Sequence, residues 1–225
     1  MTRHFHHVNR AVRWATALAI VGAVGAPRVV AAQRVKSLDS ATAAAIAPIV
    51  AQVQAAGLPV DLLYAKVREG QIRQVPPAKI AAAVKLVADR LVAAREALAP
   101  NASDQELRAG VDAIQYGVPA ETLRAMRRAG RDGSLAVPLG VLTSLVTRGV
   151  PVEKASMKVI ELLQAGAMPN NFIALEESVR QDVAAGRRPD ESLDLRLKGI
   201  LPNLPLTGTV EATGTGLSST PKRPR

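Results

Sequence analysis

Two stretches, GLPVDLLYAKVREG (57–70) and GVPAETLRAMRRAG (117–130), lie 60 residues apart and match at Gly57/Gly117, Pro59/Pro119, Leu63/Leu123, Ala65/Ala125, Arg68/Arg128 and Gly70/Gly130. Asp61 is answered by Glu121. Each opens with Gly-aliphatic-Pro, a phrase that recurs as Gly149-Val150-Pro151 and, one residue longer, as Gly166-Ala167-Met168-Pro169. A glycine suits the left-handed position that ends a helix, the aliphatic residue after it packs back on the last turn, and proline is pre-set for the first turn of the next helix. The corners Gly57/Pro59, Gly117/Pro119 and Gly149/Pro151 therefore read as tight joints between helices, and the pair at 57 and 117 as duplicated supersecondary structure. Spacings of 60, 32 and 17 residues between successive corners do not make a solenoid of fixed repeat length.

Working outward, the stops and the three-and-four spacing of apolar residues predict helices over 39–56, 59–69, 77–98, 103–116, 119–129, 138–148, 151–165 and 170–185, with a short one over 190–198. Pro48 is expected to kink or restart the first. Ile80, Val84, Val87, Leu91 and Leu98 share one face of the long helix, and Ser103-Asp104-Gln105-Glu106 is a capping box. No stretch alternates with period two. The expected fold is all-α: an irregular array of about eight helices joined by Gly-aliphatic-Pro corners, helical-repeat-like. Several helices are too short to persist alone in water, so packing must hold them.

The N-terminus reads as an export leader. Residues 1–13 carry Arg3, Arg10 and Arg13 and no acid, residues 14–25 (WATALAIVGAVG) are apolar, and Val30-Ala31-Ala32 offers a cleavage site. A span of about 12 apolar residues is short of the roughly 20 that cross a bilayer, so no stable transmembrane span is expected after cleavage. The sequence thus divides into a signal peptide (1–32), a helical domain (33–200) and a tail (201–225) whose prolines and Thr/Ser/Gly run read as disordered. The expected location is periplasmic or secreted.

Removing the leader changes the chemistry on offer. All three histidines (His4, His6, His7) and Trp14 lie within it, and the chain has no cysteine. Residues 33–225 therefore lack imidazole and thiol, which excludes Ser-His-Asp and Cys-His nucleophiles and the usual zinc, haem and iron–sulfur ligand sets. Neither a P-loop nor a dinucleotide fingerprint occurs. No cofactor is expected. The formal charge of +10 is concentrated at the ends: of 29 basic and 19 acidic groups, the leader holds four arginines and no acid, and the tail holds Lys222, Arg223 and Arg225 against Glu211. With Tyr64, Tyr116 and Phe172 as the only aromatics beyond the leader, stacking on single-stranded nucleic acid is also argued against.

Three groups of side chains invite a functional reading. Arg124, Arg127, Arg128 and Arg131 form a stripe at i, i+3, i+4 and i+7, which reads first as a solvated helix face and, as the functional alternative, as a dock for phosphate, lipid or another anionic envelope polymer. Asp61, Glu121 and Glu153 each fall two residues after a corner proline, where a carboxylate favours a helix N-terminus. Glu176-Glu177 with Arg180 and Asp182 reads as an exposed charged face. The expected function is an exported scaffold without catalytic activity that binds an envelope protein or polymer. The alternatives are a carboxylate-dependent enzyme acting on envelope glycans, and an Arg-stripe binder of anionic surfaces.

Overall fold

A computed structural model describes residues 39–130 and 133–204. Residues 1–38, with the expected leader, Arg131 and Asp132, and residues 205–225 lie outside the described residues. What is described is helical, with no strand among the described residues: α1 (Ser40–Ala55), α2 (Asp61–Ile72), α3 (Pro77–Ala97), α4 (Asp104–Gln115), α5 (Ala120–Ala129), α6 (Ala136–Thr147), α7 (Val152–Gln164), α8 (Pro169–Ala184) and α9 (Pro189–Ile200). The short segment at 190–198 is thus a full helix. Leu201–Asn203 adds a 3-10 turn, after which Leu204 tucks into the core, so the folded body runs past the boundary expected at 200.

The corner glycines have the conformation that their sequence context asks for. Gly57, Gly117 and Gly149 adopt φ of 66°, 89° and 96°. In each corner the glycine N–H bonds the carbonyl three residues back, and the next N–H reaches five residues back: Leu58 to Val53 at 3.1 Å, Val118 to Ala113 at 3.0 Å, Val150 to Leu145 at 3.1 Å. This double closure satisfies carbonyls that a helix end would otherwise leave open, and it turns Leu58, Val118 and Val150 inward, where all three are buried. Gly166 and Gly186 repeat the geometry. So does Gln74 (φ 54°), whose Gln74-Val75-Pro76 is the same phrase with a side chain in the glycine position.

The prolines sit slightly earlier than the sequence predicts. Pro119 and Pro151 are N-caps and Pro59 precedes the N-cap Val60, whereas Pro77, Pro169 and Pro189 occupy the first turn. A proline N-cap offers no side-chain acceptor, which leaves the open amides of α5 and α7 to Glu121 and Glu153 in the first turn. Pro48 does not end α1. The helix continues through it, with the ring on the solvent side.

Helices pack on their second neighbours: α1 on α3, α3 on α5, α5 on α7, and likewise α4 on α6 and α6 on α8. Sequential contacts α2–α3, α3–α4, α6–α7 and α8–α9 join the two series, an arrangement compatible with a repeat-like array. The core is Leu, Val, Ile and Ala, with Phe172 and Tyr64 the only buried aromatics among the described residues. Close approach replaces bulk. A Cβ on Gly110 would stand 3.1 Å from both Ala94 and Leu98, at the junction of α3, α4 and α5. The last glycine of the duplicated stretch has one role in both copies: a Cβ would lie 2.7 Å from Ile80 at Gly70 and 2.6 Å from Leu135 at Gly130. Leu63 and Leu123, the matched leucines, are both fully buried.

Candidate functional site

The arginine stripe is divided by the fold. Arg127, with only 17% of its side chain exposed, donates from Nη2 to Glu106 Oε1 at 2.6 Å. Glu106 is the capping-box carboxylate expected from the sequence, and the structure gives it a second task. Its Oε2 accepts from the Ser103 N–H (2.8 Å) and Oγ (2.9 Å), and its Oε1 also accepts from the Leu135 N–H (2.8 Å). One buried side chain thereby ties the start of α4, the end of α5 and the start of α6. Burial pushes this carboxyl upward, but the amides of Leu135 and Ser103 with the Arg127 guanidinium outweigh it and hold it below the usual glutamate range. Arg124 pairs with Glu121 one turn away at 2.9 Å. Arg128 is exposed and has no ion-pair partner among the described residues.

Arg128 stands in a groove of about 460 Å³ between α5 and α7, lined also by Ala125, Ala129, Ile160 and Gln164. Ala129 and Gln164 line a second hollow of about 280 Å³ as well, where the α5–α6 connection meets the α7–α8 corner. Its walls are mostly apolar: Leu163, Ala167, Pro138, Phe172 and the exposed Met168, with Ser134, Gln164 and the backbone of Gly130 and Gly133 completing them. The lack of a Cβ at Gly130 lets Leu135 pack beneath it, and the Glu106–Leu135 bond fixes that wall. The two hollows are neighbours that share Ala129 and Gln164 in their linings, one holding a guanidinium and the other mostly hydrocarbon.

The acids are spread rather than gathered. Asp61 on α2 pairs with Arg108 of α4, Glu121 serves Arg124, and Glu153 lies on α7. No group of three or more Asp, Glu, His or Cys among the described residues is placed to hold a metal. The charged face expected at 176–182 is partly structural. Glu176 accepts from Ser144 Oγ (2.8 Å) and Arg148 Nη2 (3.0 Å), joining α8 to α6. Asp182 is buried and accepts from Ser192 Oγ (2.6 Å) and from Arg196 Nε (2.8 Å) and Nη2 (2.6 Å), joining α8 to α9. The Arg196 and Ser192 bonds hold its carboxyl well below the usual aspartate range. Only Glu177 with Arg180 is an exposed pair of the kind expected. Lys154 on α7 likewise reaches Asp194 on α9 at 2.7 Å.

A third hollow of about 450 Å³, between α8 and α9, contains Arg196, whose guanidinium is already committed to Asp182. Among the described residues, no Asp or Glu lines any of these three hollows. No helix among the described residues is long and apolar enough to cross a membrane. No protein-family model matches the chain, and no curated protein or solved structure matches it.

Proposed function

We propose that this chain is an exported, non-catalytic binding protein that holds an anionic envelope component, polymer or protein, in the depression between α5 and α7. The observation that carries the reading is the position of Arg128, exposed in a groove that borders a mostly apolar hollow. Helix-stacking folds serve binding well because their neighbouring helices form extended grooves. The residues beyond the leader contain no imidazole or thiol, which favours binding over turnover. The arginine-rich, then apolar, then small-residue order of residues 1–32 supports export.

The test places a photo-crosslinking benzophenone side chain at Gln164, inside the depression, or at Leu86 on α3, exposed and outside it. Full-length protein is irradiated in its own cells. Discrete adducts from position 164, absent at position 86 and lost with Arg128→Glu, support the reading. Equal labelling at both positions, or adducts indifferent to Arg128→Glu, contradict it.

A further inference from the structure

Resting on that reading, we infer that the depression takes an amphiphile: a single hydrocarbon chain ending in an anionic head group, carboxylate or phosphate. The hollow walled by Leu163, Ala167, Met168 and Phe172 offers such a chain apolar surface, with no charged group among the described residues that line it. Its volume of about 280 Å³ lies near the lower end of the range typical of small-molecule pockets, a size for one chain rather than a folded partner. Ala129 and Gln164 belong to both hollows, which places Arg128 beside the apolar one and lets a chain seated there put its head group against the guanidinium. Arg128 is the member of the described stripe left without an internal carboxylate, since Arg124 serves Glu121 and Arg127 serves Glu106. Guanidinium bonds carboxylate and phosphate oxygens in pairs, and apolar burial adds to the affinity with each methylene, so head and tail contribute separately.

The four methionines supply the readout. Met168 lines the hollow, Met126 is fully buried on the core face of α5, Met157 is exposed on α7 without lining either hollow, and Met1 lies in the leader. Full-length protein carrying methyl-labelled methionine and uniform nitrogen-15 is titrated with sodium decanoate and decyl phosphate below their micellar concentrations, with acetate, with neutral decyl glucoside, and with poly-glutamate. The inference predicts that both decyl anions shift the Met168 methyl at concentrations where acetate does not and where Met157 stays still. Arg128→Ala should weaken that response about fivefold. Ala129→Leu, which adds bulk at a residue lining both hollows while keeping a good helix former, should abolish it. A response to decanoate no stronger than to acetate, or equal shifts at Met157, overturns the inference. Poly-glutamate perturbing the Arg128 amide while no decyl compound moves Met168 overturns the inference but leaves the proposed function standing. Silence towards every anion defeats both.

Discussion

Glu106 shows how much one side chain does in this molecule. It is 3% exposed, and its two oxygens together accept four hydrogen bonds, from Ser103 (backbone and hydroxyl), Arg127 and Leu135. Glu106→Gln keeps the shape but leaves the Arg127 guanidinium facing a neutral group and turns one accepting atom into a donor. Loss of one partner of such a buried pair costs about 3 kcal/mol, which for a domain of this size lowers Tm by roughly 6–12 °C, readable by thermal circular dichroism. The pH sign follows from the depressed carboxyl. A group whose folded-state pKa lies below its unfolded value contributes stability in full above the unfolded value, near about 4.3, and loses it as pH falls through the lower folded value. Urea midpoints of the native protein should be level from pH 7 to 5 and fall below pH 4, and Glu106→Gln should flatten part of that fall. Asp182, also depressed, accounts for part of the remainder. The capping box itself could be read from Ser103 and Glu106 three residues apart. The contacts to Arg127 and Leu135, 21 and 29 residues away, could not, because no local pattern encodes a partner brought in by the turn of the chain. That is why an apparently even arginine stripe separates into one buried strap, one local pair and one exposed cation.

At the scale of the element, the corner glycine decides where each helix stops. Gly149 at φ 96° has room for a Cβ, with Pro189 the nearest neighbour at 3.8 Å, so its cost on substitution is conformational rather than steric. Gly149→Ala should destabilise by about 1 kcal/mol, read as a shifted urea midpoint with unchanged slope. Gly140, in the exposed interior of α6 with nothing near its Cβ position, should do the opposite and gain about 0.5–1 kcal/mol as Ala. Gln74 is the corner that carries a side chain at φ 54°, and Gln74→Gly should stabilise by up to about 1 kcal/mol. The corners at 57, 117, 149 and 166 were readable because glycine and proline mark them. The corner at 74 was hidden by glutamine, and that at 186 because the residues between its glycine and Pro189 are Arg187 and Arg188, where the corner at 166 has the apolar Ala167 and Met168. The prolines' exact places depended on whether the second residue after the glycine caps the helix or joins it, which the phrase alone does not distinguish.

For the whole molecule, aliphatic residues and close-set glycines replace aromatic bulk in one connected core that reaches from Ile46 on α1 to Leu197 on α9. Polar straps cross the same stack from outside: Asp61 to Arg108, Glu176 to Arg148, Asp182 to Arg196, and Lys154 to Asp194. Helical class was evident from the periodicity, whereas second-neighbour stacking, and hence the depression between α5 and α7, depends on contacts that a single sequence does not express. The depression keeps its shape only if the helices on both sides belong to one cooperative body, since α5 rests on α3 and α7 rests on α6. Native-state hydrogen exchange of the full-length protein tests this. Amides of Val84, Leu91, Leu142, Val159 and Val179, drawn from α3, α6, α7 and α8, should converge on one opening free energy and one denaturant slope, with α1 and α9 opening earlier. If α1–α3 instead open as a unit well below α6–α8, the continuous core does not exist and the account of the groove fails with it.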